Sequence, residues 1–214
     1  MVVVLEALVA GFSYYGGYWN NPSGEVARRL DGVVVEGLRV RGLVLPVSFR
    51  AVKAVLREAL YTTRPIVVIG LGLNPATRTV DVELVAVNRA FFTQPDIEGY
   101  VANYEAIDSE GPLVAYTTLP VQEILEECRV KRGLPVKPSL HTGLYLCNTA
   151  AYLIMRYGLE SKVLAGFIHL PPSTINYLRG ETSHGIPLQE LIESTECILE
   201  VSAKKAAKIP KKAC

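Results

Sequence analysis

Apolar β-branched runs alternate along the chain with segments whose apolar residues recur every three or four positions. Residues 2–10 read as a buried strand. Asn21-Pro22 follows a glycine-rich loop and reads as a helix N-cap with proline at the first helical position. That helix is expected to run to Leu30 and stop at Asp31-Gly32. Residues 33–47 predict one or two strands. Residues 49–61 predict a helix with Val52, Val55, Leu56 and Leu60 on one face. Residues 65–70 form an apolar run of strand length, and 79–87 alternate more openly. Residues 89–112 are polar and irregular, with turn signals at Pro95-Asp96 and Glu110-Gly111-Pro112, as in a functional loop or an excursion from the sheet. Further on, 113–116 predict a short strand and 120–132 a helix ended by Gly133. Residues 146–157 predict a helix ended by Gly158, and 162–169 a strand. The helix at 146–157 is apolar almost all round and should be buried. A terminal helix is expected over 187–206, with Leu188, Leu191, Ile192, Ile198 and Leu199 as its core stripe. That stripe places Cys197 on the outer face, among Glu190, Glu193 and Glu200. The alternation predicts an α/β fold, one three-layer domain with a mostly parallel or mixed sheet. In such sheets, sites gather at the carboxyl ends of the strands.

Composition narrows the class. The chain has 214 residues, half of them hydrophobic and a fifth charged, which suits one domain with a sizeable core. We expect that domain over residues 1–206, with a basic tail at 207–214. A net charge of +1 gives no global pull toward nucleic acid. No apolar run approaches the roughly 20 residues of a membrane span. The first residues lack a basic segment and carry Glu6, so they read as a strand rather than a signal peptide. A cytoplasmic protein with reduced cysteines is expected. The four cysteines and three histidines show no metal-ligand spacing. Cys197 is expected to be either a lone surface thiol or a bridge to its own copy across a two-fold axis, with Cys214 as the competing partner for such a bridge.

Three segments carry candidate chemistry. Gly143-Leu-Tyr-Leu-Cys147-Asn148 places a cysteine at the opening of a helix, where unpaired N–H groups and the helix dipole favour a thiolate and could hold an oxyanion. The competing reading is a small buried core cysteine. Ala165-Gly-Phe-Ile-His169-Leu-Pro171-Pro172 ends an apolar strand in a histidine, placing an imidazole where α/β sites lie; the bland alternative is a capped, satisfied histidine. A thiol nucleophile needs such a base, and the base needs an orienting carboxylate. Val80-Asp81-Val82-Glu83-Leu84 supplies one: Glu83 sits amid apolar residues, and Asp81, of the same strand parity, competes with it. Gly70-Leu-Gly-Leu-Asn-Pro75 lacks both the G-x-G-x-x-G pattern and a Walker lysine, which argues against a nucleotide site.

Taken together, the three segments resemble the catalytic blocks of pyroglutamyl peptidase I, in the same order: Val82-Glu-Leu-Val-Ala-Val-Asn88, Leu144-Tyr-Leu-Cys-Asn148 and Gly166-Phe-Ile-His-Leu-Pro171. Supporting matches are Gly11-Phe12, Gly16-Gly17, Asn21-Pro22-Ser23, Leu45-Pro46-Val47 and Gly72-Leu73, so the resemblance spans about residues 5–190. It implies a single α/β/α domain around a twisted mixed sheet. It also implies a cysteine peptidase that removes N-terminal pyroglutamate from peptides through an acyl-enzyme, without metal or other cofactor. Cys147 would be the nucleophile, His169 the base and Glu83 its orienter. Phe12, Tyr15, Leu73 and Tyr145 would line the substrate site. The family is commonly tetrameric, which implies a homo-oligomer.

The chain departs from the family's pattern near that site. The family's Gly-Phe-Glu-Pro-Phe-Gly-Gly loop reads Gly11-Phe-Ser-Tyr-Tyr-Gly-Gly17 here. An arginine after Gly72 falls at Thr77, beside Arg78. The family's Ala-Arg-Ile-Pro-Asp run falls at Phe92-Thr93-Gln94-Pro95-Asp96, so Thr93 replaces a second arginine, with Arg89 nearby. Two alternatives follow: an amidase acting on another small lactam or amide, and a non-catalytic binding module that kept the fold.

Overall fold

The computed structural model describes residues 5–209. Strand β1 (Glu6–Phe12) lies inside the sheet, with Leu8, Ala10 and Phe12 in one apolar cluster and Ala7 and Val9 in the other. Burial on both faces explains why this strand reads as a near-continuous apolar run. Its neighbours are β3 (Leu38–Leu45) and β4 (Val67–Leu73), both parallel to it. Next to β4 runs β11 (Leu164–Leu170), also parallel. Then come β5 (Val80–Glu83), antiparallel to β11, and β10 (Val136–Ser139), parallel to β5. The short β2 (Val34–Val35) closes the far edge antiparallel to β3. The seven-stranded order is β10-β5-β11-β4-β1-β3-β2, a mixed sheet as expected.

Helices cover both faces and complete three layers. α1 (Pro22–Leu30) starts and stops where the sequence predicts: the Asn21 side chain accepts the Ser23 N–H, Pro22 opens the helix, and Asp31 ends it. α2 (Phe49–Thr63) and α4 (Leu146–Ser161) bury one face of the sheet. On the other face lie α1, α3 (Val121–Ile124) and α6 (Leu188–Ala206). α3 continues into a π-helical turn over Leu125–Lys131, where an ordinary helix to 132 was expected. α4 also runs past Gly158, its predicted end, to Ser161. Gly158 is a packing position: a Cβ there would lie 2.6 Å from that of Ala165 on β11. A short α5 (Thr174–Leu178) follows β11.

The segment 79–87 divides into β5 and β6 (Val85–Val87), and β6 pairs with β9 (Val114–Tyr116) outside the main sheet. The irregular stretch 89–112 folds as an excursion, with β7 (Ala90–Phe92) paired to β8 (Ala102–Glu105).

Cys197 corrects the sequence reading. It is fully buried and bonded to Cys128, with Cα atoms 5.9 Å apart. The bridge is therefore within the chain, and these two cysteines are not reduced. The reason is the breadth of α6's buried face. This helix packs on the sheet and also on α1, α3 and the π-helical turn, so burial extends well beyond the predicted stripe to Ser194, Cys197 and Val201. Residues 2–4 of the first predicted strand, residues 210–214 of the basic tail, and Cys214 lie outside the described residues.

Candidate active site

Three parallel strands end on one edge of the sheet, and the predicted site residues gather there. Phe12 closes β1, Leu73 closes β4, and His169 is the second-last residue of β11. Pro171 and Pro172 follow immediately, so the chain must leave the sheet beside His169. Cys147 is the second residue of α4, half-buried. No side chain caps the first turn of that helix, so its N–H groups stay available at Cys147.

His169 is buried behind this edge. Its Nδ1–H donates to Glu83 Oε1 at 2.7 Å, and Glu83 Oε2 accepts the His141 N–H at 2.9 Å. The competition between carboxylates has a geometric answer. In the antiparallel β5–β11 register, Asp81 lies directly opposite His169 and Glu83 lies opposite Phe167. The longer Glu83 side chain reaches diagonally to the imidazole. Asp81 is held instead by the hydroxyls of Thr77 (2.9 Å) and Thr79 (2.6 Å), with Lys137 at 3.7 Å. Burial opposes a charged imidazole. Hydrogen bonds to Cys147 and Glu83, together with their charges, overcome that and raise the His169 pKa to about 10.

A cleft of about 340 Å³ opens over the sulfur, and Phe12, Tyr15, Leu73, Tyr145 and Cys147 all line it. His169 and Glu83 sit behind it rather than in its wall. Sequence reasoning named four of the aromatic and aliphatic wall residues and missed Asn21, Val47 and Gln94 as wall residues. Tyr145 is kept above its ordinary pKa by burial and by a hydrogen bond with Tyr15, so its ring presents a neutral hydroxyl to the cleft. The loop carrying Gln94 is pinned by Asp96, which accepts the N–H groups of Phe49, Glu98 and Tyr100 at 2.8–2.9 Å. None of the residues lining the cleft is an acid, a lysine or an arginine.

The pyroglutamyl peptidase family model matches residues 5–205. The chain belongs to the pyroglutamyl peptidase family. It is 36% identical to the pyrrolidone-carboxylate peptidase of Pyrococcus furiosus over 169 residues, which cover 78% of this chain and 81% of that protein. It is 33% identical to the pyrrolidone-carboxylate peptidase of Thermococcus litoralis over 92% of each chain. The crystal structure of the Pyrococcus furiosus pyrrolidone carboxyl peptidase superposes with a TM-score of 0.89 at 31% identity, over 94% of this chain and 100% of that one.

Against the family's pattern, the missing arginines have no local stand-in. Thr77 is buried on Asp81, Arg78 and Thr93 are exposed, and Arg89 turns away to bond the Asn88 carbonyl and stack over Tyr104. Gln94 stands where the family's run has isoleucine, and that substitution was the available sequence signal for its place in the cleft.

Proposed function

We propose that this chain is a cysteine omega-peptidase that removes N-terminal pyroglutamate from peptides, with Cys147 as nucleophile, His169 as acid–base and Glu83 as its orienter. The observation that carries the reading is a thiol at an uncapped helix N-terminus, facing an uncharged cleft and served from behind by the buried His169–Glu83 pair. With the proton on His169, sulfur attacks the carbonyl carbon that follows the lactam ring. The N–H groups of the first turn of α4 stabilise the oxyanion. Collapse breaks the C–N bond as the imidazolium gives its proton to the departing amine, leaving a thioester. Water, deprotonated by His169, then hydrolyses the thioester and returns the thiolate.

The cleft fits a lactam by polarity. A pyroglutamyl ring is neutral and offers one N–H and one C=O, whereas a prolyl N-terminus is a cation without the carbonyl. Phe12, Tyr15, Leu73 and Tyr145 form the ring's surroundings in this reading. Residues 1–206 act as one catalytic domain, with 207–214 as an appended tail. A cytoplasmic homotetramer acting on peptides, without nucleic-acid or membrane partners, follows from the family resemblance and the near-neutral net charge. Among the described residues, no helix is long and apolar enough to cross a membrane.

The test is hydrolysis of a chromogenic pyroglutamyl amide and its prolyl counterpart, before and after treatment with iodoacetamide. We expect alkylation of Cys147 to abolish turnover. The lactam should be preferred by on the order of a hundredfold or more, because a site built to pair a polar group rejects the analogue lacking it. Comparable rates for both substrates would favour an amidase of different specificity, and no turnover at all would favour a binding module.

A further inference from the structure

Asn148 follows Cys147 and is fully buried, with every hydrogen-bonding position of its amide on a fixed partner. Its Oδ1 accepts the Val87 N–H at 3.0 Å and the Thr142 hydroxyl at 2.9 Å. Its Nδ2 donates to the carbonyls of Val87 and Arg89, each at 2.9 Å. These partners fix the orientation of the amide, since two carbonyls must face its N–H₂ and one N–H must face its oxygen.

Thr142 is itself buried and adjoins His141, whose N–H holds Glu83 Oε2. A continuous chain of contacts therefore runs from His169 through Glu83, the His141 backbone, Thr142 and Asn148 to the residue bearing the sulfur. The start of α4 has no side-chain cap to set its orientation, and the amide of Asn148 ties it to β6 and to the 140–143 loop instead. We propose that Thr142 and Asn148 are positioning residues: the hydrogen bond between them holds the Cys147 sulfur in register with the His169–Glu83 pair. This rests on the reading of Cys147 and His169 as nucleophile and base.

Thr142→Val keeps the shape of the side chain and removes the hydroxyl. Because small misplacements of reacting groups are costly, we expect kcat on a pyroglutamyl amide to fall by on the order of ten- to a hundredfold with KM little changed. Iodoacetamide should also alkylate Cys147 with a displaced pH profile. Thr142→Ser restores the hydroxyl and should recover both measurements. A purely structural role would lower Tm while leaving kcat and the alkylation profile at wild-type values well below Tm, and that result overturns the proposal, as does failure of Thr142→Ser to recover them. If Thr142→Val does not fold, Thr142→Ala is read in the same way. Alkylation needs no substrate. A wild-type protein that cleaves no pyroglutamyl amide would therefore refute the assigned function, while the alkylation profiles would still decide the role of Thr142.

Discussion

A side chain on Gly72 would meet the sulfur of Cys147: a Cβ built there lies 2.7 Å from Sγ and 2.9 Å from Cζ of Phe167. Gly72 pairs with His169 across the β4–β11 ladder, so its bare Cα leaves the space beside the imidazole in which the sulfur sits. Both approaches are too close for a real Cβ, so the sulfur and the buried Phe167 ring must both shift, and the sulfur leaves its place beside the imidazole. Gly72→Ala is therefore expected to lower kcat by on the order of tenfold or more while the protein stays folded. Wild-type turnover in this variant, measured beside its Tm, would show that the sulfur has slack and that its placement does not depend on Gly72.

The carboxylates should separate by function. Glu83→Gln removes the charge from the His169 partner and leaves one amide side facing both Nδ1–H and the His141 N–H, of which it can accept only through its oxygen. We expect turnover to fall by on the order of ten- to a hundredfold. Asp81→Asn disturbs a cluster of Thr77, Thr79 and Lys137 that does not touch the imidazole, so turnover should stay within about twofold at some cost in stability. Steady-state kinetics on both variants checks this, and the reverse pattern would reassign the orienter.

What could be read from sequence was local. Asn21, Pro22 and Asp31 mark both ends of α1 because caps act within a turn of the helix. A glycine-led helix start and a proline-broken strand end mark the neighbourhoods of Cys147 and His169, but alone they leave a core cysteine and a capped histidine open; the roles come from the order of three blocks that resemble the family's. The choice of Glu83 over Asp81 depends on a cross-strand diagonal, which parity alone cannot resolve. Pairing of β6 with β9 joins segments about thirty residues apart and leaves no mark in either. Gly158 looked like a stop signal because close packing and helix termination use the same residue. Cys197 was misplaced because a single apolar stripe describes a helix with one packing surface, and α6 has several.

His169 also predicts a pH dependence. Its pKa in the folded protein lies above the ordinary 6.5, at about 10, so the protonated imidazole favours the native state. That contribution is complete below about pH 6.5 and is lost as pH rises through about 10. Since hydrogen bonding to Cys147 and its charge are among the causes, Cys147→Ser should lower the pKa of His169. With only three histidines in the chain, NMR titration of the ring Cε1–H signals can assign the change. We expect His169 to remain protonated at pH 8 in the wild type and to titrate at lower pH in Cys147→Ser. Superimposable titrations would mean that the thiol and imidazole do not share their proton.

The bond between Cys128 and Cys197 should act as a staple and not as part of the site. Both residues lie in the apolar cluster under α1, α3 and α6, across the sheet from α4 and Cys147. They are 69 residues apart in sequence, and closing a loop of that length in the unfolded chain stabilises the folded one by about 4 kcal/mol in the chain-entropy view. For a chain of this size that corresponds to roughly 10 °C in Tm. Replacing both cysteines by alanine is expected to lower Tm by about that amount and leave kcat, measured well below Tm, unchanged. In native protein without reductant, iodoacetamide should label Cys147 and spare Cys128 and Cys197, which become reactive only after unfolding and reduction. Non-reducing electrophoresis should show no dimer that depends on Cys197. Rapid labelling of Cys128 and Cys197 in the folded, unreduced protein would show that the bond is not made, and the stability difference should then vanish with it.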